Sequence, residues 1–507
     1  MTPTNARGGT ADARRGPAGA RGGPADERIE RIRAAADTLF HERVRAQFTP
    51  SSAWAVFDRG GVIASGGAGD RGDGRPPDAR TAYRIASCTK SFTAAAIMLL
   101  VERGSVALDD PITAWVPTFG RVRLPSADAP VPTLRMLVTM SAGFPTDDPW
   151  ADRLESIDDD ALDAILSDGL LFDSVPGTRF AYSNLGYALL GRVVGVASGI
   201  GYHAFVEREL LRPLELTDTA FSAPSRVPVA VGHRPVGDGR FESLPWTGPG
   251  AFSSIGGLFS TTADLARWCG FLADAFADSA VPVAEQGDVG PSRAARRAMQ
   301  QAARTMPKDA RSIGYGFGLM VEERPGIGTV VSHSGGYPGY SAHMRWSVED
   351  GIGAIAFENA TGARVIDAAE QLHDASLRIL RATDPVGDTS IGTARVLDAT
   401  RRAQLLTMRL LADWSDRAAD DLFTANVRLD CPYDERRRRA AEAFARAGIG
   451  AARSGAIDEW SEAPTHLAWR YPGSNGSVVV AIRLAPPMSG RVQALTVDWS
   501  SEGSAAS

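Results

Sequence analysis

A serine and a lysine separated by two residues are the first candidates for chemistry in this sequence. Ser87 opens the run SCTKSFTAAAIMLLVERG, which is rich in helix-forming residues and ends at Gly104. Three-residue spacing on a helix places the Ser87 hydroxyl and the Lys90 amine on one face, within contact distance. A serine hydroxyl becomes a nucleophile when a base takes its proton, and a desolvated lysine can be that base. Such spacing alone is common, so it does not establish a site.

The rarity of lysine in this chain supports a chemical role for Lys90. Of 54 lysine and arginine residues in the chain, only Lys90 and Lys308 are lysines. Arginine stays protonated, whereas the pKa of a lysine amine can fall far enough for the amine to exchange protons. A lysine at this position, in a chain that otherwise uses arginine, therefore indicates proton transfer.

Two later motifs supply further polar groups. Tyr182-Ser183-Asn184 precedes a predicted helix, where an N-cap beside a packed tyrosine is one interpretation. In the other interpretation Tyr182 relays a proton to the leaving group, and Asn184 hydrogen-bonds the substrate and the Lys90 amine. The motif His333-Ser334-Gly335-Gly336 ends a predicted strand, where small residues would let a substrate lie along the sheet edge. A single histidine in that place is more often structural.

The order Ser-x-x-Lys, Tyr-x-Asn, His-x-Gly resembles the serine β-lactamase, D-alanyl-D-alanine carboxypeptidase and related esterase superfamily. The segments LRMLVTMSAGFP, VPGTRFAYSNLGYALLGRVV, SSIGGLFSTTADLARW and SHSGGYPGYSAHMRW follow the order found in that family. The resemblance extends from about Glu27 to Leu380. It implies a serine hydrolase that works through an acyl-enzyme.

The resemblance also implies roles for individual residues. Ser87 is expected to be the nucleophile, with Lys90 and Tyr182 as the general acid–base pair. The expected substrate or relay contacts are Asn184, His333, Ser334 and Gly335, and the expected oxyanion hole consists of the backbone N–H groups of Ser87 and Gly336. Which of Lys90 and Tyr182 takes the first proton is left open, because strongly coupled groups titrate as a unit.

Two departures from the family pattern bear on activity. His333 stands where β-lactamases usually have the lysine of Lys-Thr-Gly or Lys-Ser-Gly, so the fixed positive charge that helps to hold a β-lactam carboxylate is weakened. Efficient β-lactamase activity is therefore not expected. Met140 replaces a histidine that the family often has, and we expect a packing consequence there.

The expected fold is an α/β (α+β) sandwich of an antiparallel sheet flanked by helices, joined to an all-helical lobe, with the active site between them. Two apolar runs around Arg59-Gly60-Gly61 predict a hairpin. TVVSHSGG, YSAHMRWSV and GIGAIAFEN predict three successive strands, and 109–274 predicts the helical lobe. We expect a disordered tail at 1–26, a β-lactamase-like domain at 27–381 and a small C-terminal α+β module at 392–507, after the linker ATDPVGDTSIG. The module's predicted elements are a helical run over Ala394–Ala419, a solvated arginine-rich helix DERRRRAAEAFARAG, and strands in HLAWRYP, SVVVAIRLA and VQALTVDWS.

Composition narrows the class of partner. An apolar fraction of 44% with 22% charged residues, and no long apolar run, is typical of a globular protein outside the membrane. A net charge of -6 argues against nucleic acid as a partner. Three widely spaced cysteines and the spacing of the histidines predict no disulfide framework, metal site or cofactor. The N-terminus lacks the apolar region of a secretory signal, so we expect a cytoplasmic location.

These observations favour an esterase that acts on a small ester or amide, or on a short peptide. A D-alanyl-D-alanine carboxypeptidase, a D-aminopeptidase or a weak β-lactamase is the enzymatic alternative. A non-catalytic ligand-binding homologue is the third possibility, and the joint presence of Ser87, Lys90, Tyr182 and Asn184 counts against it. The oligomeric state is left open.

Overall fold

The computed structural model describes residues 24–277, 289–307, 313–324, 327–381, 396–449, 458–461 and 463–501. Residues 1–23 of the predicted tail and the linker ATDPVGDTSIG lie outside these ranges. Helix α1 begins at Pro24, so the predicted tail is three residues too long.

The helices are α1 Pro24–Arg45, α2 Thr89–Glu102, α3 Leu134–Val138, α4 Asp148–Ala151, α5 Asp159–Ser167, α6 Asn184–Ser198, α7 Tyr202–Val206, α8 Ser253–Gly256, α9 Thr262–Ala273, α10 Arg293–Met299, α11 Ile366–Arg381, α12 Asp398–Ala412, α13 Asp416–Leu422, α14 Ala425–Asp430 and α15 Tyr433–Arg446. The strands are β1 Ser51–Asp58, β2 Gly61–Gly69, β3 Tyr83–Arg84, β4 His233–Pro235, β5 Phe241–Ser243, β6 Phe259–Ser260, β7 Arg304–Thr305, β8 Ile313–Tyr315, β9 Met320–Arg324, β10 Gly328–Tyr337, β11 Tyr340–Ser347, β12 Gly353–Glu358, β13 Asp458–Trp460, β14 His466–Gly473, β15 Gly476–Leu484 and β16 Val492–Ser500.

The predicted antiparallel sheet is confirmed. It has eight strands in the order β2-β1-β12-β11-β10-β9-β8-β7, and its named neighbours pair antiparallel. Alternate residues of the central strands face opposite layers, because side chains alternate along a strand. Trp54 and Val56 pack with α1 and α11, whereas Ala53 and Phe57 join the core that contains α2 and α9. Helices therefore cover both faces of the sheet.

The predicted helical lobe over 109–274 contains α3 to α9 and also the short hairpin β4–β5. Its core is continuous with one side of the sheet, since residues of α2, α6 and α9 belong to the same buried cluster as residues of β11. Among the described residues, no single helix has both the length and the hydropathy of a membrane span. Asn184–Ser198 and Tyr202–Leu211 reach those limits only as a pair, and the pair is bent by 77°.

The C-terminal module contains α12 to α15 and the four-stranded antiparallel sheet β13-β14-β15-β16, around its own apolar core. The predicted helix over Ala394–Ala419 is wrong in its extent, because Ser415 caps a new helix by accepting a hydrogen bond from the backbone N–H of Ala418. The arginine-rich helix α15 is only partly solvated. Arg436 points inward and donates to the carbonyls of Val427, Cys431 and Leu495.

Candidate active site

Ser87 lies in a tight 3₁₀ turn, Ala86–Cys88, between β3 and α2. The turn is sharp: Ala86 has a φ of 47°, a left-handed conformation that a non-glycine residue adopts only when its surroundings hold it there. The hydroxyl of Ser87 is consequently presented at the N-terminus of a fourteen-residue helix. Free N–H groups and the helix dipole favour negative charge at that end.

Lys90 contacts Ser87 as the spacing predicts. Its Nζ lies 2.8 Å from Ser87 Oγ and donates to the carbonyl of Ile255, also at 2.8 Å. Burial lowers the pKa of Lys90 to about 8, although the carboxylates of Asp148 and Asp152 oppose the change. A neutral amine can accept the serine proton along the same contact, so the pair has both the geometry and the acidity for proton exchange.

Tyr182 is the third residue of the contact around Ser87. Its ring centroid lies 5.0 Å from Lys90 Nζ, and its hydroxyl hydrogen-bonds Ser87. Burial raises the pKa of Tyr182 well above the usual value, with the hydrogen bond to Ser87 opposing that rise. Tyr182 is therefore a neutral phenol, able to donate a proton.

Asn184, the first residue of α6, has a different partner from the one we expected. Its Nδ2 donates to Asp148 Oδ1 at 2.6 Å, so this donor is engaged by a carboxylate. Asp147 accepts from the backbone N–H groups of Asn184 and Leu185 at 2.6 and 2.9 Å, which satisfies the start of α6. Burial raises the pKa of Asp147 to about 7. Our sequence analysis missed these aspartates, although TDDPWAD directly follows a family-like segment.

His333 faces the same site from β10. Its Nδ1 lies 2.6 Å from the carbonyl of Ser334 and its Nε2 lies 3.2 Å from the hydroxyl of Tyr315. Because a carbonyl only accepts, Nδ1 carries the proton and Nε2 accepts from Tyr315. Burial, with the charge of Lys90, lowers the pKa of His333 to about 3, so the ring is neutral. The strand therefore presents no fixed positive charge at this residue.

The other residues of the His333 motif lie in three different settings. The Ser334 hydroxyl bonds His343 Nδ1 at 2.9 Å, on the opposite side of the strand from His333, so its side chain lies away from Ser87. A Cβ at Gly335 would lie 2.3 Å from the carbonyl oxygen of Ile85 and 3.1 Å from the backbone nitrogen of Ser87. Only glycine lets β10 pass this close to the serine turn. A Cβ at Gly336 would meet nothing within 4 Å, and this residue is exposed.

Met140 has the packing role that its substitution predicts. It is buried, with a φ of 55°, and its Sδ accepts from the backbone N–H of Ser183 at 3.2 Å. Its carbonyl also accepts from the N–H of Ala181 at 2.8 Å. Met140 therefore holds the backbone on both sides of Tyr182.

A buried ion pair that our sequence analysis missed lies beside the turn that contains Ser87. Arg84 pairs with Glu155, and both side chains are fully buried. The guanidinium carbon of Arg84 lies 4.6 Å from the ring centroid of Phe259 and 4.4 Å from that of Tyr337. Tyr337 also donates its hydroxyl proton to Glu155. The pair thus ties β3, β10 and the segment after α4 together beside Ser87.

The C-terminal module contacts residues 146–152, an acidic segment that contains α4 and three aspartates. Gln493 is buried; its Nε2 donates to the carbonyl of Thr146 at 2.6 Å, and its Oε1 accepts from the N–H of Trp150 at 3.1 Å. Arg153 forms an ion pair with Asp430 of α14. Residues of the module therefore hold the backbone that carries Asp147 and Asp148.

This fold, with the Ser87–Lys90 contact beside its sheet, is of the β-lactamase type. The sequence model of the Beta-lactamase family matches residues 36–377, and the chain belongs to that family. Penicillin-binding protein 4* of Bacillus subtilis is 26% identical over 288 residues, which is 53% of this chain and 59% of that protein. Esterase EstB of Burkholderia gladioli is 29% identical over 375 residues, covering 64% of this chain and 88% of the esterase. Protein flp of Staphylococcus aureus is 28% identical, and the chain spans 48% of its length.

Solved structures share the fold at lower identity. An octameric penicillin-binding protein homologue from Pyrococcus abyssi superposes with a TM-score of 0.60 at 20% identity, covering 92% of this chain and 98% of that one. A D-stereospecific amidohydrolase from Streptomyces sp. has a TM-score of 0.53 at 24% identity, covering 66% of this chain and 98% of its own. A class C β-lactamase mutant has a TM-score of 0.55 at 16% identity, covering 68% of this chain and 98% of its own.

Proposed function

We propose that this protein hydrolyses small esters, and amides more slowly, through an acyl-enzyme on Ser87. The observation that carries the proposal is the Lys90 Nζ, held 2.8 Å from Ser87 Oγ at a pKa of about 8, with Tyr182 on the same hydroxyl. A serine, a base and a proton donor in mutual contact can perform both halves of an acyl transfer.

The steps follow from these contacts. Neutral Lys90 accepts the Ser87 proton as Oγ attacks the carbonyl, and the resulting oxyanion accepts hydrogen bonds from the N–H groups of Ser87 and Gly336. The oxyanion re-forms the carbonyl as the bond to the leaving alkoxide breaks, and Tyr182 gives that alkoxide a proton. Lys90 returns its proton to Tyr182, and a water molecule then attacks the acyl-enzyme by the same route. We assign the first proton to Lys90 because its pKa is lowered, whereas that of Tyr182 is raised.

The site favours esterase activity over β-lactamase or carboxypeptidase activity. The neutral His333 removes the fixed charge that would help to hold a β-lactam or C-terminal carboxylate. The alignment with Esterase EstB, over 88% of that protein, supports the same assignment. The contact of Lys90 with Ser87 argues against a non-catalytic ligand-binding homologue.

The test uses the full-length protein with p-nitrophenyl butyrate, without added metal. We expect steady turnover, labelling by a fluorescent fluorophosphonate at Ser87, and no more than weak labelling by a fluorescent penicillin. Ser87→Ala should abolish turnover and fluorophosphonate labelling. Full inhibition by EDTA, or unchanged turnover in Ser87→Ala, would contradict the proposal.

A further inference from the structure

The C-terminal module contains a cavity of about 570 Å³, a volume typical of sites that bind small molecules. Helix α12 forms one wall, α13 a second, and residues 488–491, between β15 and β16, a third. A Cβ at Gly490 would lie 3.7 Å from the Cβ of Ala399, and the carbonyl of Val492 accepts from the N–H of Thr424 at 3.0 Å. These contacts hold the third wall against the other two.

Much of the cavity lining is apolar. Ala403 and Leu410 of α12 are buried, whereas Leu406, which lies between them, is 47% exposed and Met488 of the facing wall is 61% exposed. Residues 403, 406 and 410 follow each other at three- and four-residue spacing, so their side chains share one face of α12. Exposed apolar side chains that line a concavity are typical of a ligand-binding groove. The cavity can therefore take up a hydrocarbon chain.

Three arginines supply positive charge at the same cavity. Arg402 and Arg409 line it from α12 and Arg491 lines it from the facing wall, and all three are exposed. None of their guanidinium groups forms an ion pair or a hydrogen bond with another residue that the structure describes. Asp413 and Asp421 also line the cavity, and three arginines against two aspartates leave one positive charge. The charge of the lining thus favours an anion.

An apolar wall beside several guanidinium groups complements an amphiphile with an anionic head. A guanidinium binds a carboxylate through two parallel hydrogen bonds, and an alkyl chain is stabilised in proportion to the apolar area that it buries. A free phosphate would leave the apolar wall uncovered, and an alkylammonium would face the net positive charge.

We infer that this cavity binds a medium-chain carboxylate, with its alkyl chain against Leu406, Leu410 and Met488 and its carboxylate at the arginines. The site lies apart from the proposed hydrolysis at Ser87, because all of its lining residues belong to the C-terminal module. The module would accordingly bind a ligand of its own besides contacting residues 146–152.

The experiment measures the dissociation constant of octanoate with the full-length protein by isothermal titration calorimetry, beside 1-octanol and octylammonium. The three probes share an eight-carbon chain and differ in the charge of the head. We expect one octanoate per chain, bound at least about tenfold more tightly than 1-octanol. Arg409→Gln and Arg491→Gln should each raise the dissociation constant of octanoate at least about fivefold. The matched control is Arg437→Gln, at an exposed position in α15 away from the cavity lining, and it should leave the constant unchanged.

A second pair of measurements tests the apolar wall and the location of the site. Leu406→Ser, at a half-exposed position, should weaken octanoate and 1-octanol alike, with an unchanged Tm as the check on folding. Octanoate should bind equally well after a fluorophosphonate has blocked Ser87. Loss of binding after that treatment would place octanoate in the catalytic cleft and overturn the inference.

Four other results would also overturn it. Octanoate could fail to bind, or bind no more tightly than 1-octanol. Arg409→Gln and Arg437→Gln could have equal effects, which would remove the arginines from the site. Octylammonium could bind more tightly than octanoate, which would assign the cavity to Asp413 and Asp421. Finally, the protein could bind phosphatidylglycerol vesicles but not octanoate, which would make this face a membrane-docking surface.

Discussion

Replacing Lys90 by arginine tests the proton path while keeping the positive charge. Lys90 is fully buried, and its Nζ contacts both Ser87 Oγ and the carbonyl of Ile255 at 2.8 Å. Its amine also lies 5.0 and 5.7 Å from the ring centroids of Tyr182 and Tyr187. An arginine at this position retains a cation and hydrogen-bond donors, but it can accept no proton.

The size of the effect follows from the pKa of Lys90. At a pKa of about 8, about one amine in ten is neutral at pH 7. With a pKa above about 12, the neutral fraction of an arginine at pH 7 is below about 10⁻⁵. The availability of the base therefore falls by about 10⁴, and loss of a general base typically costs about 10²–10⁴-fold in rate. We expect Lys90→Arg to lose at least about 10²-fold in kcat.

The assay is hydrolysis of p-nitrophenyl butyrate, with circular dichroism and Tm as checks on folding. Lys308→Arg makes the same change at the chain's other lysine and should retain full turnover. The double variant Ser87→Ala/Lys90→Arg should be little worse than either single variant, because nucleophile and base act as a unit. If folded Lys90→Arg kept more than a tenth of wild-type turnover, Lys90 would be an electrostatic residue and Tyr182 the base.

Three further predictions concern the same site. First, kcat/KM for a neutral ester should rise with pH and level off above about 8, because Lys90 must lose its proton before it can act; a profile that is flat from about pH 6 to 9 would refute this order of steps. Second, Gly335→Ala should lower kcat by about tenfold or more, since its Cβ would lie 2.3 Å from the carbonyl oxygen of Ile85 and push β10 away from the serine turn. Gly120→Ala, where a Cβ meets nothing within 4 Å, is its control, and equal turnover in the two variants would contradict the argument. Third, Gln493→Ala removes three hydrogen bonds, to Thr146, Trp150 and Leu484, and should lower the free energy of unfolding by about 2–4 kcal/mol. Chemical denaturation measures this against Gln301→Ala at an exposed position, and an equal effect in the two variants would mean that the contact contributes nothing.

Local geometry explains how much of this site is predictable from the sequence. A helix fixes the distance between residues three apart, so the contact of Ser87 with Lys90 follows from the spacing alone. The hairpin at Arg59-Gly60-Gly61 and the three strands of the later sheet follow from apolar runs between turn residues. Side chains alternate along a strand, so His333 and Ser334 cannot both face the cleft. Our sequence analysis placed both residues in the site, although their adjacency already argued against this.

The rest of the site depends on chain segments that are distant in sequence. Asp148 becomes the partner of Asn184, Glu155 that of Arg84, and Gln493 that of Thr146 only when the fold brings them together. No local pattern marks these pairs, because an aspartate, glutamate or glutamine is ordinarily solvated. The residue types and helix spacing by themselves therefore predicted the contact of Ser87 with Lys90, the proposed nucleophile and base. The tertiary structure decided the charge around them, since burial and the neighbouring carboxylates set the pKa of Lys90 and determine which donors and acceptors remain for a substrate.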